Sequence, residues 1–217
     1  MVGVPRPDDP AEDNPRGDPR PGSLVIASRY DDELWELVPD DRGPAPAHLA
    51  RWVRELGPVA RALDLGGGDG RLGALLDARE LAIADVSAVA LERARRRVPA
   101  ARVVELDPDA PLPLDDGGFD LVLLADALEH VRDVQLLLSE ARRVLRPGGR
   151  IAVATPAHGR LTALRLLVRG FESEFDPLSP HLRFLTARSL RRLLEELGFE
   201  VEALRRSAGD LLAVARR

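Results

Sequence analysis

Residues 61–72 of this 217-residue chain read RALDLGGGDGRL, and this stretch decides the fold class. Leu63 and Leu65 suit a buried strand, and Asp64 lies at its exit. The turn that follows contains glycines, which have no side chains to block a ligand: Gly66, Gly68 and Gly70. Between a strand and a helix, such a turn directs backbone N–H groups and the positive helix end towards an anionic group. The stretch therefore predicts a loop that binds a nucleotide cofactor.

After residue 58, strand-like and helix-like segments alternate, which predicts a parallel sheet with helices on both faces. We expect strands near residues 60–65, 80–85, 101–106, 119–125 and 150–155, and helices near 70–77, 87–97, 132–145 and 186–197. The final segments FEVEALRR and LLAVARR predict a hairpin that adds an antiparallel strand. The predicted fold class is α/β, a doubly wound, Rossmann-like, seven-stranded and mostly parallel sheet with a C-terminal antiparallel hairpin.

The chain divides into three predicted parts. Residues 1–22 hold six prolines among charges and glycines, a composition that predicts a disordered tail. Residues 23–58 predict a helical cap, whose tryptophans, Trp35 and Trp52, we expect to pack onto the core. Residues 59–217 form the domain of the sheet, and within it we interpret residues 157–184 as an insertion that covers the substrate.

Composition and charge exclude several classes of protein. The absence of Cys excludes a disulfide framework, a thiolate metal site and a cysteine nucleophile, and favours the cytoplasm. The net charge of −5 argues against a large nucleic-acid interface. No apolar run approaches the roughly 20 residues that span a bilayer, and the N-terminus lacks a hydrophobic signal core. We expect a cytoplasmic monomer or homodimer that acts on a small molecule, without nucleic-acid or membrane partners.

The glycine-rich loop fits two registers. Gly68, Gly70 and Gly73 satisfy the GxGxxG spacing of a dinucleotide site, with Asp85 at about the distance of the ribose-binding acid. That register would make the protein an NAD(P)-dependent oxidoreductase. The second register begins at Asp64 and resembles the first motif of class I S-adenosylmethionine-dependent methyltransferases.

Three later segments extend this second resemblance over most of the chain after residue 60. They are LDPDAPLPLDDGGFDLVLLADALEHV (106–131), RRVLRPGGRIAVATP (142–156) and HLRFLTARSLRRLLEELGFEV (181–201). The resemblance is to the small-molecule, type 11-like branch, which includes methyltransferases of ubiquinone biosynthesis and of sugars. It implies S-adenosyl-L-methionine as the cofactor.

The resemblance also implies roles for acids at strand ends, where open parallel sheets bind ligands. Asp85 would accept both ribose hydroxyls, since a carboxylate matches a vicinal diol; the alternative is a helix cap beside Ser87. Asp107 would accept the adenine amino group, and Asp64 would orient the methionine portion and its ammonium group. The predicted cofactor-binding residues are Tyr30, Asp64, Gly66, Gly67, Gly68, Gly70, Asp85, Val86, Leu106, Asp107, Pro108 and Ala125.

Methyl transfer from a sulfonium requires alignment and exclusion of water, and a base only where the nucleophile is a hydroxyl or a protonated amine. Loop histidines are the candidate bases: His130, His158 and His181. We predict His130 and Asp126 as the catalytic residues, and interpret His48 as a surface residue. We expect O-methylation ahead of N-methylation, with a noncatalytic methyltransferase-like binding module as a further alternative.

The segment DALEH raises the question of a metal. Asp126, Glu129 and His130 are spaced like the acidic-x-x-Glu-His cluster of metal-assisted O-methyltransferases, and such ligands suit magnesium, manganese or zinc. However, Asp stands where those enzymes have Glu, and relatives that use no metal share the LEH run. We therefore expect no bound metal.

Overall fold

The computed structural model describes residues 30–171 and 179–217. The predicted tail at residues 1–22 and part of the predicted insertion at 157–184 lie outside the described residues. The strands are β1 (Val59–Leu65), β2 (Ala78–Asp85), β3 (Arg102–Glu105), β4 (Phe119–Ala125), β5 (Leu145–Pro156), β6 (Glu200–Ser207) and β7 (Asp210–Arg216). The helices are α1 (30–37), α2 (Ala47–Glu55), α3 (Ala88–Arg97), α4 (Val134–Val144), α5 (Arg160–Arg169) and α6 (Ala187–Glu196).

The strands form one seven-stranded sheet in the order β3-β2-β1-β4-β5-β7-β6. Strands β1 to β5 are parallel to one another, whereas β7 pairs antiparallel with both β5 and β6. The predicted fold class is confirmed, including the C-terminal hairpin. Because the sheet order changes direction between β1 and β4, their carboxyl ends form the crevice where such sheets bind ligands.

Both faces of the sheet are covered, as the nearly unbroken apolar runs of the central strands require. In β4, Val122 and Leu124 belong to the apolar cluster under α4 and α6, while Leu121 and Leu123 belong to the cluster under α2. Trp52 lies in this second cluster and is buried, as predicted. The buried layers hold the ends of β1 and β4 rigidly at the crevice.

The predicted helix at residues 70–77 is wrong, because only a short 3-10 turn forms there, at Gly73–Leu75. The crossover from β1 to β2 has to return along the sheet within residues 66–77. The seven residues of β1 span roughly 23 Å at about 3.3 Å per residue, whereas a helix rises only about 1.5 Å per residue. A more extended path is therefore needed, and the glycine loop presents its own N–H groups rather than the end of a long helix.

Among the described residues, the helices are all too short or too polar to cross a lipid bilayer.

Candidate active site

The glycine loop leaves β1 at the carboxyl edge and is fixed to the end of β2. The N–H groups of Gly66 and Gly67 donate to the Ala84 carbonyl, at 2.8 and 3.1 Å. Gly68 has a φ of +53°, in the left-handed region that favours glycine, and its N–H donates to Asp85 Oδ2 at 2.8 Å. The loop that the sequence predicts is therefore ordered around the carboxylate of Asp85.

Asp64 is buried beneath this loop, with 2% of its surface exposed. A Cβ added at Gly67 or Gly73 would lie 2.7 or 2.5 Å from its Oδ2 atom, so only glycine fits beside the carboxylate at either position. Among the described residues, this oxygen has no hydrogen-bond partner. Burial raises the pKa of Asp64 to about 7, although the Gly73 N–H opposes the shift. An orphaned carboxylate oxygen of this kind fits a cationic ligand group.

Asp85 ends β2 and joins three segments. Besides the bond from Gly68, its Oδ1 accepts the Ser87 N–H at 3.0 Å, and the Ser87 hydroxyl caps α3 by accepting the Ala90 N–H. Burial raises the pKa of Asp85, and these N–H bonds oppose the shift. A carboxylate offers about four acceptor positions, so the geometry accommodates both the cap role and the ribose role.

Helix α1 crosses the same edge of the sheet. Its Asp32 accepts hydrogen bonds from the Ser87 hydroxyl at 2.6 Å and from the Val89 N–H at 3.2 Å, and so satisfies the first turn of α3. Tyr30, at the start of the described part of α1, is about half exposed. The helix is thus attached to the loop after β2, beside the residues predicted to bind the cofactor.

Trp35 of α1 lies against the glycine loop. A Cβ added at Gly68 would be 2.5 Å from Cζ2 of the Trp35 ring. The guanidinium carbons of Arg42 and Arg93 lie 5.3 and 5.7 Å from the ring centroid, within the range of cation–π attraction. Trp35 therefore packs on the loop rather than in the core, which corrects the sequence interpretation.

The remaining predicted cofactor residues lie along the carboxyl edge. Val86 is half-buried, Leu106 is buried with its N–H donating to the Asp85 carbonyl at 2.9 Å, and Pro108 is half-buried. Asp107 is exposed, and its Oδ1 accepts the Asp109 N–H at 2.9 Å. Ala125 is buried at the end of β4. The structure brings these residues to the ends of β2, β3 and β4.

Asp126 follows β4 and has a φ of +52°. A left-handed conformation costs a non-glycine residue about 1–2 kcal/mol, and such strain concentrates at functional sites. Although the residue as a whole is exposed, the pKa of its carboxyl group is raised, first by local burial and then by the charge of Asp210. Asp126 therefore lies close enough to Asp210, at the carboxyl edge, for the two charges to interact.

His48, at the start of α2, pairs with Asp210. Its Nε2 lies 2.6 Å from Asp210 Oδ2, and both side chains are less than one-fifth exposed. The interpretation of His48 as a surface residue is therefore wrong: α2 and the start of β7 bring this pair close enough to Asp126 for their charges to act on it. A carboxylate that orients a histidine is typical of a general base.

Glu129 and His130 lie in the loop after β4 and meet His181 from the segment after residue 178. A ligand atom from each lies within 4.8 Å of the others, so that small side-chain movements would let the three hold one metal ion. The two imidazoles pack edge to face, with ring centroids 4.8 Å apart. His158, the third predicted base, instead packs edge-on against Phe184. The loop histidines thus separate into a pair beside Glu129 and one aromatic contact.

Residues 34–204 match the sequence model of a family described as methyltransferase domain, which covers most of the chain. The chain belongs to the class I S-adenosylmethionine-dependent methyltransferases. The resemblance found in the sequence is confirmed, and the cofactor it implied is the one by which this superfamily is defined.

Curated relatives of this methyltransferase are about one-third identical to it over the residues that match. A malonyl-[acyl-carrier protein] O-methyltransferase of Methylococcus capsulatus is 34% identical over 77% of the chain and 64% of the relative. A demethylmenaquinone methyltransferase of Clavibacter sepedonicus is 37% identical over 73% of the chain and 60% of the relative. The chain thus spans less than two thirds of the length of each.

Among solved structures, the S-adenosylmethionine-dependent methyltransferase of Mesorhizobium loti is similar in fold. It matches with a TM-score of 0.59 and 23% identity over 82% of this chain and 100% of that one. This similarity supports the seven-stranded fold of the methyltransferase.

Three features of the methyltransferase's site escaped the sequence reasoning. These are the Trp35 contact with the loop, the pairing of His48 with Asp210, and the meeting of His181 with Glu129. All three join segments far apart in the chain, and helical spacing alone placed Trp35 on an apolar face. The one available signal was that β7 begins at Asp210 and is antiparallel, so its first residue reaches the carboxyl edge.

Proposed function

We propose that the protein transfers the methyl group of S-adenosylmethionine to an oxygen of a small molecule. The observation that carries the proposal is the pair Asp64 and Asp85 around the glycine loop. Asp64 has a buried oxygen without a partner among the described residues, and Asp85 anchors the loop while keeping acceptor positions free.

Each of these residues would bind one chemical group of the cofactor along the crevice. The unpaired oxygen of Asp64 would accept the ammonium group of the methionine portion, which offsets the cost of burying a charge. The free acceptor positions of Asp85 would bind the ribose diol. At the end of β3, Leu106 and Pro108 would line the adenine ring and Asp107 would accept its amino group. Ala125 and Val86 would complete the walls.

The bound cofactor supplies an electrophilic methyl group on a sulfonium, and the protein has to align and protect it. Helix α1, held by Asp32 and Trp35, would exclude water from this edge. Alignment of reacting groups can contribute roughly 7–11 kcal/mol. In the transfer, a bond forms between the substrate oxygen and the methyl carbon while the bond to sulfur breaks, and the hydroxyl proton has to leave.

We propose that His48 receives that proton. Asp210 holds its Nε2 at 2.6 Å, which fixes the ring and stabilises the charge that a proton brings. Asp126, which lies close enough to this pair for their charges to interact, would orient the substrate hydroxyl. We propose this pair because both nitrogens of His130 already face protein groups, Pro180 and Glu129.

N-methylation is the second candidate. Asp126 and Asp210 place two carboxyl groups at the substrate edge, and these would attract a cationic amine. Of the two curated relatives, the malonyl-[acyl-carrier protein] O-methyltransferase is named for transfer to oxygen, whereas the demethylmenaquinone methyltransferase is named for a quinone substrate without an acceptor atom. The partly apolar segment at residues 160–171 supports a substrate with an apolar portion, carrying a hydroxyl or carboxyl group.

Calorimetry with separate ligands tests the assignment. We expect binding of S-adenosylmethionine and S-adenosylhomocysteine with one site per chain, and none of NAD at millimolar concentration. NAD binding in place of both would support the register that begins at Gly68. Turnover is then tested with hydroxy, carboxy and amino compounds, including a malonyl thioester and demethylmenaquinone. Binding without transfer to any acceptor would favour the noncatalytic module.

A further inference from the structure

The cluster of Glu129, His130 and His181 lies beyond the residues assigned to the cofactor. We propose that it binds one divalent first-row transition ion, of the Zn²⁺ or Mn²⁺ type, which holds an oxygen of the substrate. Metal binding is independent of the proposed function; only the role toward the substrate rests on it. The proposal departs from the metal-free site that the sequence predicted.

The orientation of His130 supports a cation. Its Nδ1 lies 3.2 Å from the carbonyl oxygen of Pro180, which accepts hydrogen bonds only, so the neutral ring carries its proton on Nδ1. Nε2 then presents a lone pair, and it faces Oε1 of Glu129 at 4.0 Å. Two acceptors that face each other repel unless a proton or a metal ion lies between them. Backbone carbonyls orient metal-binding histidines in this same way.

Glu129 supplies the negative charge. The residue is 2% exposed, and its Oε2 accepts the Thr155 hydroxyl at 2.9 Å, which fixes the carboxylate and leaves Oε1 towards His130. A buried carboxylate is costly without a compensating cation. Among the described residues, no Arg forms an ion pair with Glu129, and its Oε1 instead faces Nε2 of His130.

His181 completes the set from a distant segment. The Leu182 N–H donates to the Glu129 carbonyl at 2.8 Å and so fastens that segment beside the loop after β4. With ligands at about 2.0–2.2 Å from an ion, neighbouring ligand atoms lie roughly 3–3.5 Å apart. The ligand atoms are now up to 4.8 Å apart, so side-chain rotations would have to move them closer by about an ångström to hold an ion.

The donor types select the ion. Two imidazoles and one carboxylate suit Zn²⁺, Mn²⁺ or Fe²⁺, whereas Mg²⁺ and Ca²⁺ prefer oxygen ligands. Asp126 is not part of the cluster, so the ligands differ from the DxxEH spacing read in the sequence. Three protein ligands leave open positions, as catalytic metal sites do. A cation there would stabilise negative charge on a substrate hydroxyl oxygen. The hydroxyl would then release its proton to His48 more readily during methyl transfer.

Metal binding to the full chain tests the proposal without cofactor or substrate. After dialysis against a chelator, Zn²⁺ is titrated in competition with a chromophoric chelator, and Co²⁺ spectra report the ligand field. We expect one ion per chain. Glu129→Gln and His181→Ala should each weaken binding by about 100-fold, since even second-sphere changes cost 10–100-fold. His158→Ala is the matched control and should bind as the unaltered chain does. Asp126→Asn removes a charge that acts on the cluster but no ligand, and should therefore lose much less than either ligand variant.

Thermal midpoints verify that each variant folds, and His181→Gln serves if His181→Ala does not. Absence of stoichiometric Zn²⁺ and Co²⁺ binding by the unaltered chain would overturn the proposal, and so would unchanged binding by the Glu129 or His181 variants. Equal loss in Asp126→Asn would overturn the ligand set. If the unaltered chain binds the ion but not S-adenosylmethionine, the proposed function is contradicted and the metal site is not.

Discussion

The indole of Trp35 lies directly against Gly68, so close that a Cβ added to the glycine would be 2.5 Å from the ring. This contact fastens α1 to the glycine loop, while Asp32 fastens it to α3. The loop thus lies between two partners: Asp85 on one side, through the Gly68 N–H, and Trp35 on the other. Helix α1 and the glycine loop are therefore joined at Gly68.

Gly68→Ala tests this contact. The substitution places a Cβ in the left-handed region, at about 1–2 kcal/mol, and also drives it into Trp35. Gly43→Ala is the matched control, because Gly43 has a φ of +65° and nothing within 4 Å of an added Cβ. We expect chemical denaturation to show a larger loss of unfolding free energy for Gly68→Ala. When Trp35 is also replaced by Ala, Gly68→Ala and Gly43→Ala should lower the unfolding free energy by similar amounts. If Gly68→Ala still costs more, the contact with Trp35 is not the cause.

Asp64 should make the free energy of unfolding depend on pH. Its pKa is about 7 in the folded chain and near 3.8 when exposed, so the folded state binds more protons between these values. Its contribution to stability therefore falls as pH rises from about 4 to 7, by on the order of a few kcal/mol. In Asp64→Asn the free energy of unfolding should fall less between about pH 4 and 7, whereas the exposed control Asp77→Asn should show the same fall as the unaltered chain. Parallel curves for the unaltered chain and Asp64→Asn would exclude the raised pKa.

The pair of His48 and Asp210 should control the rate of transfer to a hydroxyl. With an acceptor found by screening, we expect His48→Ala to lower kcat by about 10²- to 10⁴-fold, the usual range for a general base. Asp210→Asn should lower it less, because the ring remains but its orientation is weakened. Cofactor affinity should change little in either variant. Equal kcat values at every pH would show that His48 has only a packing role.

Truncation separates the N-terminal tail from α1. Removing residues 1–22 should leave the thermal midpoint and cofactor affinity nearly unchanged, because such termini contribute little to a folded domain. Removing residues 1–38 also deletes Asp32 and Trp35, and should lower the midpoint measurably. A loss of several degrees from the shorter deletion would show that the tail docks on the domain.

The sheet was predictable because local patterns specify it. Strand β4, FDLVLLA, is apolar on both faces and must therefore be central, and the spacing from Asp64 to Asp85 predicts two neighbouring strand ends. The missing helix at residues 70–77 depends on the length of the crossover relative to the strand, which no local pattern contains. Helical spacing in SRYDDELWELV identifies α1 but does not show where the helix packs. The contact of Trp35 with the glycine loop depends on tertiary packing.

The candidate site was predictable in position where residues lie at or beside strand ends, as for Asp64, Asp85 and Asp126. It was not predictable where partners are brought together by the fold. His48 and Asp210 are separated by 162 positions, and nothing in the histidine's helix indicates the acid at the start of β7. His181 reaches Glu129 through a backbone bond of Leu182, which leaves no trace in the residue pattern.

The affinity of Asp85→Ala for S-adenosylhomocysteine and for its 2′-deoxy analogue, measured by calorimetry beside the unaltered chain, tests the central claim most directly. Glu80→Ala, an exposed acid on the same strand, is the control. Hydrogen bonds to a charged group contribute about 1.5–3 kcal/mol each, so we predict a loss of about tenfold or more for Asp85→Ala. The unaltered chain should bind S-adenosylhomocysteine more tightly than the 2′-deoxy analogue, and Asp85→Ala should bind the two compounds equally. An undiminished preference for S-adenosylhomocysteine in Asp85→Ala, or no binding by the unaltered chain, would contradict the account.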